Sequence, residues 1–313
     1  MVLAANNPVT LEVWFTEGNE QFQIIKDLVD EYFTPQTGIK VDGMTMTYDD
    51  LWNKGLLAMA TGDTPDVASF GSEWPAEFGV RGGVVDLNKE YGDEFDELIK
   101  KVFPNQMRAV EFMGAYYGIP VRFGFATAFY RTDIFQQNGW EYPKTWDEAK
   151  KLLPKMATKD MTISGPDWYI EPRWPTIMQF VWQHGGEEFK SDHLTSGLDE
   201  PEAIRGFKAL VELFTDYKIP QAPTPIQAFS TGEMPLMIAG NWRYTALQAA
   251  FPQLNGKWKM ELLPGAMVNG KLNRTAYNGG VPFGIFTNSK HKKESWEFIK
   301  WFFSEDIQVD YSN

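Results

Sequence analysis

Residues 9–44 read VTLEVWFTEGNEQFQIIKDLVDEYFTPQTGIKVDGM. Val9, Leu11, Val13 and Phe15 alternate with Thr10, Glu12 and Trp14, the period-two pattern of a strand. Glu17-Gly18-Asn19 breaks the pattern, and Asn19 is placed to cap a helix, since its short side chain can accept from the first-turn N–H groups. Phe22, Ile25, Leu28, Val29 and Tyr32 follow at helical spacing, Thr37-Gly38 ends the helix, and Ile39 to Met44 is again a strand. A helix over 48–61 and a strand at Asp66-Val67-Ala68-Ser69-Phe70 continue the alternation. Strand–helix–strand–helix–strand means βαβ units on a mainly parallel sheet. In such sheets ligands sit beyond the carboxyl ends of the strands. The loops Thr16–Asn19 and Gly71–Trp74 are therefore the first places to look.

Further along, 93–112 reads as a helix and Tyr117 to Val121 as a strand. Thr145 and Glu148 form a capping box that opens another helix. Residues 163–175, rich in Pro, Gly and Trp, read as loop. Residues 201–217 and 291–303 are amphipathic helices, and Tyr277 to Phe286 has strand character. Trp14 is expected beneath the sheet, and Trp182, Trp296 and Trp301 on buried helix faces.

The composition narrows the function. The 313 residues carry 29 Lys+Arg against 42 Asp+Glu, a formal net charge of −13, which argues against a nucleic-acid or anionic-membrane partner. Cysteine is absent, excluding thiol nucleophiles, zinc–thiolate sites and disulfides. Three histidines make a poor set of general bases and metal ligands, so neither catalytic residues nor a metal or other cofactor is expected. Twelve Trp, 12 Tyr and 23 Phe point instead to large cores or to an aromatic-lined cleft for sugars or bases. Gly265 to Leu272 imitates a phosphate loop but is one residue short and has Leu272 where a magnesium-ligating hydroxyl belongs. His184 and His193 are not at metal-binding spacing.

Three groups of motifs occur in order. The first is Tyr117-Gly118-Ile119-Pro120, Phe129 to Phe135, and Pro143-Lys144-Thr145-Trp146-Asp147-Glu148. The second is Phe229-Ser230-Thr231-Gly232-Glu233-Met234-Pro235, running on through Gly240-Asn241-Trp242. The third is Leu263-Pro264, Gly279-Gly280, Gly284-Ile285, Ser289 to Lys293, and Trp296-Glu297-Phe298-Ile299. Over residues 8–305 this set resembles extracellular solute-binding proteins of family 1, the sugar-capturing subunits of ABC importers, a superfamily that includes maltose-binding proteins. Arg131-Thr132 departs from the Asn-Lys usual in that family.

The resemblance implies an α/β, two-lobe periplasmic-binding-protein-like fold, each lobe a mainly parallel sheet flanked by helices. Lobe one would hold 1–121 and a return segment 265–305, lobe two would hold 126–262, and the hinge would lie at Val121–Phe125 and Leu263–Gly265. The family runs several dozen residues past the last helix, so 306–313 is expected as a tail, and the chain as a fragment, an engineered truncation or a naturally minimised version whose lobe two exposes apolar surface.

The residues themselves nominate Glu17 and Asn19, after the first strand, and Glu73 with Trp74, after the third, where the matching loop of the resembled proteins contacts sugar. Glu17 would accept two sugar hydroxyls, or be a solvated helix-start carboxylate. By resemblance, Trp242 falls at a position that often stacks on a sugar ring, and Glu171, Arg173 and Trp174 fall where lobe two reaches the ligand. Arg122, in the hinge strand, is a sugar-hydroxyl donor, a carboxylate clamp or a structural ion pair. Tyr277 and Asn278 complete the set. The expected protein is a non-enzymatic monomer, exported to the periplasm or held at the cell surface as a lipoprotein. It would bind a neutral carbohydrate, an oligosaccharide above all, and deliver it to an ABC transporter permease by hinge closure. The rivals are a glycoside hydrolase using carboxylates such as Glu73 and Glu171, and a sugar-sensing module on the same fold.

Overall fold

The computed structural model describes residues 8–156, 174–192, 194–217, 219 and 225–312. In chain order its main elements are β1 (Thr10–Phe15), α1 (Asn19–Leu28), β2 (Lys40–Thr45), α2 (Tyr48–Thr61), β3 (Val67–Ser69), α3 (Trp74–Val80), β4 (Ile119–Arg131), α4 (Trp146–Met156), α5 (Trp174–Gln183), α6 (Pro201–Thr215), β5 (Leu236–Gly240), β6 (Trp258–Glu261), β7 (Asn278–Ile285), α7 (Lys292–Phe302) and α8 (Glu305–Ser312). The chain divides into two compact units, Met1–Phe123 with Gly279–Asn313, and Gly124–Asn278. The return to the first unit therefore falls at Gly279 rather than at 265.

In the first unit the strand order is β2-β1-β3-β7-β4. β1 runs parallel to β2 and β3, with Val13 opposite Gly43 and Val67. A sheet covered on both faces buries both side-chain sets of its inner strands. Leu11, Val13 and Phe15 accordingly join one core with Ile25, Phe33, Phe283 and Trp296, while Trp14 packs into another with Leu51, Phe70 and Phe78. β7 enters from the second unit antiparallel to β3, with Gly284 opposite Ala68, so this sheet is mixed rather than parallel throughout.

In the second unit the later half of β4 lies between β5 and β6 and is antiparallel to both, Ala128 facing Ile238 on one side and Glu261 on the other. The described pairings here are thus antiparallel where the sequence reading expected parallel ones. Its main core gathers Ala128, Phe135, Trp146, Leu153, Phe180, Leu210 and Ile238. The capping box closes as expected: Glu148 N donates to Thr145 Oγ1 at 3.1 Å, and Thr145 N donates to Glu148 Oε2 at 3.2 Å.

Other expectations are corrected. The 93–112 helix is broken into Asp93–Ile99 and Pro104–Met107, because Pro104 has no N–H to continue a helix and starts a new one instead. Gly18, not Asn19, caps α1, and Asn19 is its exposed first residue. Trp174 opens α5 instead of ending a loop; 163–173 lie outside the described residues. Residues 306–312 are helical rather than a tail: α8 buries Ile307 in the first core and sets Tyr311 edge-on to Phe302 at 5.3 Å. Gly265 to Leu272 is a hairpin turning at Asn269-Gly270, where both residues take the positive φ that such a turn requires.

Candidate functional site

The carboxyl ends of β1, β2 and β3 converge on Glu17, which is only 3% exposed. Ser69 Oγ donates to Glu17 Oε2 at 2.8 Å, and Arg122 Nε on β4 donates to Oε1 at 3.2 Å. The Thr45 hydroxyl donates to the Glu17 carbonyl. Parallel strands end on one side of the sheet, which brings Glu17, Thr45 and Ser69 together, and Arg122 reaches them from within β4. Glu17 is therefore a buried, paired carboxylate rather than a solvated one, and of the three roles open to Arg122 the ion pair is formed. Burial works against the Arg122 charge. The Glu17 carboxylate, with Tyr311 and Tyr48 nearby, outweighs it and holds the guanidinium above its usual pKa. The Tyr311 hydroxyl is pushed up to about 12, chiefly by burial; Arg122 opposes that rise, and Glu17 and Tyr48 add to it.

Trp74, at the start of α3, lies with its ring against Gly71, where a Cβ would come within 2.8 Å of it. Its neighbours are Tyr48, edge-on at 5.6 Å, and Trp52 at 5.0 Å. Tyr48 and Trp52 are one turn apart on α2, whose start is fixed by Thr47 Oγ1 accepting from Asp50 N at 3.1 Å. All three rings are half-buried; Glu73 and Asn19 are exposed.

In the second unit Trp242 follows β5 and is 44% exposed. Its ring lies over the backbone of Gly124 and Gly240, where added Cβ atoms would stand 2.5 Å and 2.2 Å from it. Asn241 Oδ1 accepts from Phe125 N at 2.9 Å and ties this turn to β4. Beside it, Ala126 N donates to the Tyr277 carbonyl at 3.0 Å, and Tyr277 N donates to Gln179 Oε1 at 3.1 Å. The Tyr277 ring is half-buried against the second unit's core, and Asn278 is exposed. Glu171 and Arg173 lie outside the described residues.

The structure thus joins Glu17 to Arg122 directly, and sets Trp242 beside the strand that Tyr277 is bonded to. Sequence reasoning missed Tyr48, Trp52, Ser69 and Tyr311. The i, i+4 spacing of Tyr48 and Trp52 at the head of a helix was a legible signal for the first two; Ser69 and Tyr311 carry none. Among the described residues no group of three or more acidic or histidine side chains is arranged to hold a metal ion.

Two α/β units linked by continuous strands, with an aromatic ring set on glycine backbone at strand ends in each, define the fold class. The chain belongs to the family described as bacterial extracellular solute-binding protein, whose profile matches residues 28–313. It is similar to a maltotriose-binding protein of Pyrococcus abyssi, 27% identical over 293 residues, covering 93% of this chain but 61% of that protein's length. It is also similar to a diacetylchitobiose-binding protein of Streptomyces coelicolor, 24% identical over 315 residues, covering 96% of this chain and 70% of the other. Among solved structures, an ABC transporter solute-binding protein of Thermotoga lettingae bound with tagatose superposes with a TM-score of 0.81 at 22% identity, covering 97% of this chain and 79% of that one. The sugar-binding protein MalE of Xanthomonas citri gives 0.79 at 20% identity, with 97% and 77% covered. These likenesses establish the fold, and the relatives are binding proteins. Among the described residues no helix is long and apolar enough to cross a membrane.

Proposed function

We propose that this protein binds a neutral oligosaccharide outside the cell, without altering it, and delivers it to the permease of an ABC importer. The observation that carries this reading is the pairing of Glu17 with Arg122 next to an aromatic shelf. The ion pair cancels its own charge, so the guanidinium offers donors without calling for an anionic ligand. Aromatic rings meet the apolar C–H faces of sugars; in the first unit Trp74 and Tyr48 stand edge to face, half-buried, and in the second Trp242 is 44% exposed. The named relatives bind maltotriose and diacetylchitobiose, both oligosaccharides. Glu17, Asn19, Glu73, Trp74, Arg122, Glu171, Arg173, Trp174, Trp242, Tyr277 and Asn278 remain the proposed contacts. The extracellular family supports an exported protein, working in the periplasm or tethered at the cell surface.

The hydrolase rival needs a free carboxylic acid to protonate the leaving oxygen. Of its candidate pair, Glu73 is exposed and Glu171 lies outside the described residues, while the buried Glu17 is already committed to Ser69 and Arg122. The test is a thermal-shift screen with malto-, chito- and manno-oligosaccharides, followed by chromatography of the incubated sugars. A true ligand at 100 times its Kd adds about 2.7 kcal/mol of stability, and the sugar is recovered intact. Cleavage products would sink the binding-protein reading.

A further inference from the structure

A cavity of about 580 Å³ opens within the first unit, in the range of roughly 300–1,000 Å³ typical of small-molecule sites. It is walled by the Lys101–Gln106 segment, the first half of β4 and α8. Four observations bear on its use. Phe103 and Phe123, 65% and 43% exposed, stand edge to face at 5.7 Å on its wall, although the hydrophobic effect favours burying such rings. Gln106, only 7% exposed, lines the cavity. Arg122 lines the same cavity and so joins it to Glu17 and the strand-end site. The remaining charges at the cavity are one cation, Lys101, and one anion, Glu305, both exposed, so the lining has no net demand for a charged ligand once Arg122 is balanced by Glu17.

We infer that this cavity is a second sugar subsite, in which Phe103, Phe123 and Tyr311 flank a further ring of the same neutral oligosaccharide while Gln106 and Arg122 hydrogen-bond its hydroxyls. The inference rests on the oligosaccharide reading above and deepens it: the preferred ligand is longer than the strand-end site alone requires. The ring faces supply apolar contact, the Gln106 amide supplies one acceptor and two donors, and Arg122 spans both subsites. A polyhydroxylated neutral ring matches all of these groups, whereas a purely apolar guest would offer nothing to the Gln106 amide or the Arg122 guanidinium.

The test is calorimetry of the wild-type chain, Phe103→Ala, Phe123→Ala and Gln106→Leu against malto-, chito- and manno-oligosaccharides of one to five units. Unliganded melting curves check that each variant is folded. In the wild type, affinity should rise at least tenfold between the short and the longer members of the recognised series. Each variant should lose most of that gain while binding the short members within about twofold of wild type. Independently, hydrogen exchange at residues 101–106 and 303–312 should slow with the longer sugar and not with the short one. Affinity that does not grow with length, an equal loss at every length, or exchange unaffected by the longer sugar overturns the second subsite while leaving sugar binding intact. Failure of all three series to bind overturns the oligosaccharide reading, and the subsite with it.

Discussion

Arg131 replaces the Asn usual in the resembled family, and the structure supplies a reason. Its Nε and Nη2 donate to Asp133 Oδ1 and Oδ2 at 2.9 and 2.7 Å, and Nη1 donates to the carbonyls of Phe229 and Ser230 at 3.0 and 3.1 Å. One buried guanidinium thus closes the end of β4 onto the Pro225–Thr231 helix. The hydrogen bonds from Arg131 hold the Asp133 carboxyl below its ordinary pKa, against a smaller opposing effect of burial. A carboxylate whose folded pKa is depressed adds stability above its unfolded pKa, about 3.9, and loses it as pH falls through the folded value. Urea midpoints should therefore drop as pH falls below about 4, and Asp133→Asn should flatten that acid limb; the side chain is partly exposed, so the effect is modest. A second prediction at this scale concerns Gly124. Alanine there would push against the Trp242 ring from 2.5 Å. Gly124→Ala is expected to weaken sugar binding about as much as Trp242→Ala, without lowering the melting temperature by more than a few degrees. Unchanged affinity in both would remove Trp242 from the site.

α5 and α6 pack with unusual closeness in the second unit. A Cβ on Gly206 would lie 2.5 Å from the Phe180 carbonyl oxygen and 2.6 Å from Val181 Cα, backbone atoms that cannot step aside. Gly206→Ala should cost about 1–3 kcal/mol, the range for overpacking, even though alanine is the better helix former. An unchanged denaturation midpoint would mean that the helices sit farther apart. The capping box at the head of α4 is a second element-scale device: Thr145→Ala removes the acceptor of the Glu148 N–H and should cost about 1 kcal/mol. Thr145→Ser should retain most of that stability, which separates the cap from packing.

At the scale of the whole molecule the net charge of −13 and the neutralised Glu17–Arg122 pair set the same expectation. Binding of a neutral sugar should change less than twofold between 50 mM and 500 mM salt, and phosphorylated or uronic analogues should bind more weakly than their neutral parents. Tighter binding of the anionic form, with strong salt dependence, would instead make Arg122 an anion clamp. The separate cores of the two units explain how much of this molecule could be read in advance. The βαβ start at 9–70, the box at Thr145–Glu148 and the long helix from 201 were legible because alternation, helical spacing and caps are relations between residues a few positions apart. The strand-end positions of Glu17 and Trp74 followed from the same local pattern. What joins Glu17 to Arg122 across 105 residues, or lays Trp242 over Gly124, is set by which strands become neighbours. The cavity beside Phe103 and the ordering of 305–312 as a helix against the first core have the same origin. The sequence by itself determined the periodic elements and the chemistry available at their ends. Only the tertiary structure decided which carboxylate is buried, which arginine neutralises it and which rings stay exposed, because burial and ion pairing are properties of non-local neighbours.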